Sequence, residues 1–217
     1  MSLKRNIDLL GIGNAITDIL VSIDYQFLEK MKFDAGAMHL VDFKTINTIL
    51  KKFKNNKVSA GGSVANTISM ASNLGARCAF IGKRKNDEQG KMFSESMNAS
   101  NILLPNGEVE VGAPSSTCLV MITPNGERTM LTYLGASTSL SQDDVDLKLL
   151  ENTKIVYLEG YLFDLPEAKN LFNVIADKQE EYGFELALSL SDPFCVKRHK
   201  DDFLKLIEKK IKIIFSN

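Results

Sequence analysis

The chain has 217 residues and a net charge of −1, with 44% hydrophobic and 24% charged residues. This is the composition of an ordinary globular protein, and it excludes disordered and collagen-like chains. The balanced charge offers no basic field to attract nucleic acid or an anionic membrane. No apolar run reaches the about 18 residues that a membrane span requires, and no signal peptide is evident. We therefore expect a cytoplasmic protein whose partners include neither nucleic acid nor a membrane.

Cysteine and histidine give no sign of a metal site. The three cysteines, Cys78, Cys118 and Cys195, lie far apart, and the two histidines are isolated as well. An odd number of cysteines without a Cys-x-x-Cys spacing fits neither a disulfide framework nor a zinc site. We expect reduced thiols and no bound metal from these residues.

The first half of the chain alternates between strand-like and helix-like segments. Apolar and amphipathic patterns predict strands at 7–13, 15–23, 79–82 and 102–104, and helices at 43–53, 64–74 and 89–99. The strand at 7–13 is almost entirely apolar, which is typical of a strand buried on both faces of a parallel sheet. The alternation predicts a doubly wound α/β sheet.

A hairpin interrupts this alternation. Residues 117–123 and 128–134 are strand-like and are joined by Pro124-Asn125-Gly126-Glu127, in which Asn-Gly is a strong hairpin signal. A small β subdomain is expected here. The alternation then resumes, with helices at 143–150 (capped by Ser141), 166–182 and 201–209 and strands at 155–159, 185–189 and 211–215.

Three familiar functional motifs are incomplete or absent in the sequence. Gly11-Ile12-Gly13 follows a strand, but Ile16 replaces the third glycine of a dinucleotide fingerprint and strand-like residues follow where a helix must begin. The chain contains neither a P-loop nor a Gly-x-Ser-x-Gly nucleophile elbow.

A glycine pair and two polar residues suggest a different kind of site. Gly61-Gly62-Ser63 opens a predicted helix that carries Asn66 one turn in, and paired glycines let a ligand approach the backbone closely. Asn14 and Asp18 flank the end of the first strand, and a carboxylate can accept hydrogen bonds from two vicinal hydroxyls. This set suits a polyhydroxy ligand. The alternative is a plain glycine turn capped by Ser63, with a turn Asn and a solvated Asp.

Taken together, these segments resemble a known family. The residues that carry the resemblance are Gly11 to Asp18, Gly61 to Thr67, Leu74-Gly75-Ala76, Phe80-Ile81-Gly82 and Asp87-Glu88-Gln89-Gly90. In this order and spacing they are similar to the opening segment and first signature of the ribokinase-like (PfkB) carbohydrate kinase family. Gly126-Glu127-Arg128-Thr129 and the stretch from Leu188 to Phe194 look most like the adenosine kinase-like branch.

The resemblance implies a fold and an activity. The family has a doubly wound, mainly parallel α/β domain with a small β-sheet lid, and it transfers the γ-phosphate of ATP, with Mg²⁺, to a primary hydroxyl of a sugar or nucleoside. Residues 1–13, 58–107 and 135–217 would form the α/β core, and 14–57 and 108–134 the lid. The implied substrate-binding residues are Asn14, Asp18, Gly61, Gly62, Asn66, Arg128 and Glu159.

The chain also departs from the family pattern. It lacks the Gly-Ala-Gly-Asp motif that provides the anion hole and the catalytic aspartate, and Asn217 matches only the first residue of the Asn-x-x-Glu magnesium and phosphate motif. The resemblance thus implies a chain without the C-terminal third, holding the substrate half but no catalytic base. Because phosphoryl transfer depends on positioning and on stabilising phosphate charge, we expect no kinase activity from this chain alone.

Alternatives to a nucleoside kinase remain. The parent could phosphorylate ribose, fructose or a keto-deoxy acid, since the same residues grip any vicinal diol. The chain could also be a non-catalytic remnant that binds a nucleoside or sugar. The exposed strand at 211–215 would leave apolar surface open, so we expect the chain to aggregate, to form a homodimer or to be part of a longer polypeptide.

Overall fold

The computed structural model describes residues 6–54 and 56–216, which form ten strands and seven α-helices. The strands are β1 (Ile7–Ile12), β2 (Ile16–Ser22), β3 (Met38–Leu40), β4 (Lys57–Gly61), β5 (Cys78–Ile81), β6 (Ser116–Ile122), β7 (Arg128–Tyr133), β8 (Thr153–Glu159), β9 (Glu185–Ser189) and β10 (Ile211–Phe215). The helices are α1 (Tyr25–Met31), α2 (Phe43–Leu50), α3 (Ser63–Asn73), α4 (Glu88–Ala99), α5 (Lys148–Glu151), α6 (Pro166–Tyr182) and α7 (Pro193–Lys209).

The central sheet has the order β10-β9-β8-β1-β5, and all of its pairs are parallel. Its strands are short apolar runs whose alternate side chains pack on opposite faces. On one face Leu10, Val156 and Leu188 pack with α6 and α7, and on the other Phe80 and Tyr157 pack with α3 and α4. Helices on both faces of a parallel sheet confirm the expected doubly wound α/β fold.

The second sheet is mixed and has the order β3-β7-β6-β2-β4. Its strands β6 and β7 are the predicted hairpin, joined through Gly126 at φ +83°. One face packs against α1 and α2, where Leu119 and Leu131 meet Leu28, Ile46 and Ile49. A small β-sheet beside the α/β unit, as the resemblance implied, is confirmed.

Strand β4 lies in the second sheet, although the sequence places residues 58–61 in the expected α/β core. It pairs antiparallel with β2, and Gly61 lies opposite Ile16. Most residues of Lys57-Val58-Ser59-Ala60 are exposed, and the run has too little apolar surface for a buried central strand. The division of the chain into core and lid as folding units stays a prediction.

Other elements differ in detail. The strand expected at 102–104 is a single bridge from Ala79 to Leu103. The helix expected at 143–150 is a 3₁₀ turn at Gln142–Asp144 followed by α5, with Ser141 as cap of the turn. Helix α7 begins at Pro193 and has non-helical torsion angles at His199, so the predicted helix at 201–209 is its second half. Among the described residues, no helix is both long and apolar enough to cross a bilayer.

Candidate functional site

The candidate site lies where β1 and β8 end. From β1 the chain passes to β5 on one side of the strand, and later enters β8 on the other side. In open α/β sheets, ligands bind outside the carboxyl ends of the strands at such a switch point. Asn14 follows β1, and Glu159 is the last residue of β8. Both therefore lie where a ligand is expected.

The glycine pair connects the second sheet to this point. Gly61 ends β4, and Gly62 is the N-cap of α3 with φ +101°. A Cβ at Gly62 would lie 2.4 Å from the backbone oxygen of Asn14. Gly62 thus combines a positive φ with a lack of space for a side chain, and only glycine satisfies both requirements. As a result, the first turn of α3 lies against the end of β1.

The carboxyl group of Asp18 covers Gly61. Asp18 belongs to β2, and a Cβ built on Gly61 would lie 2.2 Å from the Asp18 carboxyl carbon. Asp18 is partly buried, and its side chain makes no hydrogen bond within the described residues. Burial raises the pKa of Asp18 to about 6, whereas the positive charge of Arg128 acts in the opposite direction. The site thus holds a desolvated carboxylate that can accept hydrogen bonds from a ligand.

Arg128 and Asn66 lie at the periphery. Arg128 begins β7 opposite Ile122, and the pairing across β6 places it on the same face of the second sheet as Asp18. Its side chain is exposed, and its charge reaches Asp18. Asn66 lies in the first turn of α3 with its side chain exposed. Their contacts with a ligand stay predictions.

Glu159 is buried at the end of β8 and hydrogen-bonded to two other segments of the chain. It is 1% exposed, its Oε2 accepts from the backbone N–H (2.5 Å) and Nδ2 (3.3 Å) of Asn14, and its Oε1 accepts from the Ser63 hydroxyl (2.6 Å). Burial raises the pKa of Glu159, and the hydrogen bonds from Ser63 and Asn14 oppose that rise. The carboxylate lies beneath the site, and both of its oxygens already have partners.

One neighbour of Asp18 was not found from the sequence. Cys118 lies directly opposite Asp18 on β6, is buried, and accepts from the hydroxyl of Thr132 at 3.4 Å. Burial raises its pKa to about 12, with a further contribution from the charge of Asp18. At neutral pH the thiol is therefore protonated and acts as a packing residue rather than as a nucleophile.

A metal site could be formed by a cluster of acidic, histidine and cysteine side chains. The described residues contain no group of three or more His, Cys, Asp or Glu side chains that could hold a metal ion. Asn217, the expected start of the magnesium and phosphate motif, lies outside the described residues.

The structure thus combines a parallel α/β sheet, a second small sheet and a carboxylate beside paired glycines. The model of the pfkB family of carbohydrate kinases matches residues 30–217. The chain belongs to this family, as the sequence motifs indicated.

Relatives and solved structures agree with this assignment. Adenosine kinase 2 of Arabidopsis thaliana is 27% identical over 214 residues, which is 93% of this chain and 60% of the relative. The crystal structure of adenosine kinase from Sinorhizobium meliloti matches with a TM-score of 0.87 and 34% identity, over 96% of this chain and 64% of that one. A probable sugar kinase from Rhizobium etli CFN 42 matches with a TM-score of 0.88 and 33% identity, over 98% and 64%. The chain thus spans about 60% of the length of these kinases.

Proposed function

We propose that the chain forms the substrate-binding part of an ATP-dependent kinase that phosphorylates the primary hydroxyl of an adenosine-like nucleoside. Membership of the pfkB family and the similarity to adenosine kinases support the reaction type. The observation that carries the site is Asp18, a partly buried carboxylate without a hydrogen-bond donor among the described residues, packed on a glycine whose missing side chain makes room for it.

In this proposal the ligand supplies the donors that Asp18 lacks. Two vicinal hydroxyls of a ribose donate to the two carboxylate oxygens, which are charge-assisted bonds and therefore strong. Gly61 and Gly62 let the sugar ring approach the backbone, and the amides of Asn14 and Asn66 offer both donors and acceptors. These residues bind and orient the substrate.

The second sheet favours a nucleoside over a free sugar. Leu20 lies two residues beyond Asp18 on the same face, opposite Val120, which in turn lies opposite Met130. This face therefore combines one carboxylate with a patch of apolar side chains. A ligand with a polar ribose and a flat, mostly apolar base matches both parts.

Direct binding measurements test the substrate class. Isothermal titration calorimetry with adenosine, inosine, ribose and fructose should give the tightest binding for adenosine. If adenosine bound no better than ribose, the nucleoside assignment would be wrong. A sugar kinase for ribose, fructose or a keto-deoxy acid would then be favoured, in line with the similarity to a probable sugar kinase.

We further propose that the parent kinase uses ATP and Mg²⁺ and that these 217 residues alone do not turn over. The sequence contains no Gly-Ala-Gly-Asp motif, so it offers neither that anion hole nor that base. The purified chain should bind the nucleoside but produce no ADP above background in a coupled assay, with a full-length adenosine kinase as positive control. Robust turnover by the chain would refute this. Binding without turnover also fits a non-catalytic remnant of a kinase.

A further inference from the structure

Glu159 is a buried acidic residue that has no cationic partner in the part of the chain that the structure describes. It lies at the carboxyl end of β8 on the face of the central sheet that packs against α3 and is 1% exposed. A buried charge is costly unless hydrogen bonds replace its hydration. Here the partners are neutral donors, namely the Ser63 hydroxyl and the backbone and side-chain N–H groups of Asn14. Three donors pointing at one carboxyl group match its ionised form.

These hydrogen bonds join three elements that are distant in sequence. Asn14 follows β1, Ser63 is the first residue of α3, and Glu159 ends β8, so the bonds span 145 and 96 residues. The three segments also approach one another closely, since a Cβ on Gly13 would lie 2.4 Å from Oε2 of Glu159. A single carboxyl group thus fixes the relative position of the β1 end and the α3 start.

Glu159 also lies at the N-terminus of α3, where its carboxyl group interacts with the backbone N–H of Ser63. The N-cap residue of α3 is Gly62, which has no side chain to accept from the first free N–H groups. A larger cap is excluded, because a Cβ there would lie 2.4 Å from the Asn14 oxygen. A negative charge at this helix end is favourable, because it faces the positive end of the helix dipole. Glu159, at the end of β8, places such a charge beside Ser63, the first residue of α3.

We propose that Glu159 is a positioning residue, which holds the backbone of Asn14 and the Gly62 turn in the geometry that binds the substrate without touching the substrate itself. This inference rests on the proposed function, because Asn14 and Gly62 are the proposed ligand contacts. A positioning role differs from a direct ligand contact in two ways. The effect of Glu159 on the site is already present in the ligand-free protein, and it does not depend on any one hydroxyl of the ligand.

The first test needs no ligand. Amide hydrogen exchange, followed by NMR, is compared between the wild-type chain and Glu159→Gln, in which an amide NH₂ replaces one acceptor oxygen. Loss of a hydrogen bond to a charged group should speed exchange at Asn14 about tenfold or more, and leave strands β9 and β10 unchanged. Unchanged exchange at Asn14 in a folded variant would overturn the proposal.

A milder pair of variants covers the case in which Glu159→Gln does not fold. Ser63→Ala removes one of the three bonds, and Ser72→Ala is its matched control, since Ser72 lies on the same helix and donates instead to the Ser100 oxygen. Ser63→Ala should speed exchange at Asn14 more than Ser72→Ala does. Equal exchange rates at Asn14 in the two variants would count against a role of the Glu159 carboxyl group in holding Asn14.

Ligand binding then separates positioning from direct contact. Glu159→Gln should raise the Kd for adenosine, 2′-deoxyadenosine and 3′-deoxyadenosine by the same factor, about tenfold. If Glu159 contacted one ligand hydroxyl directly, the variant and the wild type would have the same Kd for the analogue that lacks this hydroxyl. That result would show the proposal to be wrong. If no nucleoside binds the wild-type chain, the proposed function fails, while the exchange measurement still tests the link between Glu159, Asn14 and Ser63.

Discussion

At the scale of single residues, the partly buried carboxylate of Asp18 is expected to control how the proposed site responds to pH. Burial raises its pKa to about 6 in the ligand-free protein. Ligand hydroxyls that donate to the carboxylate stabilise its ionised form and lower this pKa on binding. In the proposed site, binding is therefore expected to release a proton, and the affinity should fall where Asp18 is protonated.

The expected result is a Kd for adenosine that is constant above about pH 7 and rises as the pH falls through about 6. Asp18→Asn should bind weakly and without this pH dependence, because the amide does not titrate. Calorimetry between about pH 5 and 8 measures both proteins. A wild-type Kd that does not change over this range would contradict the assigned role of Asp18.

The same carboxylate should destabilise the ligand-free chain. Its folded pKa of about 6 lies above the reference value of 3.8, so the folded state binds the proton more tightly and loses stability as the pH rises from about 4 to 6. At pH 7.5, Asp18→Asn should thus raise the free energy of unfolding by about 1 kcal/mol, or Tm by a few degrees. Near pH 4 the gain should vanish. A variant that is less stable than wild type at pH 7.5 would show that Asp18 has a stabilising partner.

At the scale of the elements, the glycine turn between β4 and α3 offers a matched comparison. Gly62 and Gly75 both have positive φ, +101° and +95°, but only Gly62 has a backbone atom in the way of a Cβ, while Gly75 has nothing within 4 Å. Gly75→Ala should cost about 1 kcal/mol from torsional strain alone. Gly62→Ala should cost clearly more and also weaken adenosine binding, because Asn14 must move. Chemical denaturation and calorimetry measure the two effects. Equal costs for both variants would mean that the contact with Asn14 is easily relaxed.

The elements found from the sequence are those with a local pattern. The apolar run that becomes β8, the Asn125-Gly126 hairpin and the amphipathic part of α7 each carry their own signal. The missed elements depend on partners elsewhere in the chain. Strand β4 exists through its pairing with β2, and β3 has only three residues, paired with β7. Helix α1 has a local cap at Asp24, a signal that could have revealed it.

The candidate site was predictable only in part, as the secondary structure was. The resemblance to the family pointed to Asp18 and the glycine pair, which the structure brings into contact. It did not reveal that Glu159 is buried, because its partners Ser63 and Asn14 are 96 and 145 residues away. The sequence offered one signal of this burial, which is a glutamate at the end of an apolar strand. An acidic residue at such a place must either contact a ligand or accept hydrogen bonds from other parts of the chain.

At the scale of the whole molecule, the two sheets meet around the ligand position. Only residues 13–15 separate β1 from β2, and only Gly62 separates β4 from α3. A ligand held by Asp18 on one sheet and by Asn14 and Gly62 beside the other would bridge both. Binding energy at the site is therefore expected to stabilise the arrangement of the sheets as well as the ligand.

The outer edge of the central sheet should make this chain associate with itself. Strand β10 pairs only with β9 among the described strands, and Ile214 and Phe215 are 43% and 51% exposed. A free edge with apolar side chains is a template for pairing with another strand.

Sedimentation velocity at increasing concentration should thus show dimers or larger species. Ile214→Lys should shift the distribution toward monomer, because a charge at the edge opposes pairing, whereas Val111→Lys, at a more exposed loop position, should not. A wild-type chain that stays monomeric at every concentration would show that this edge does not drive association.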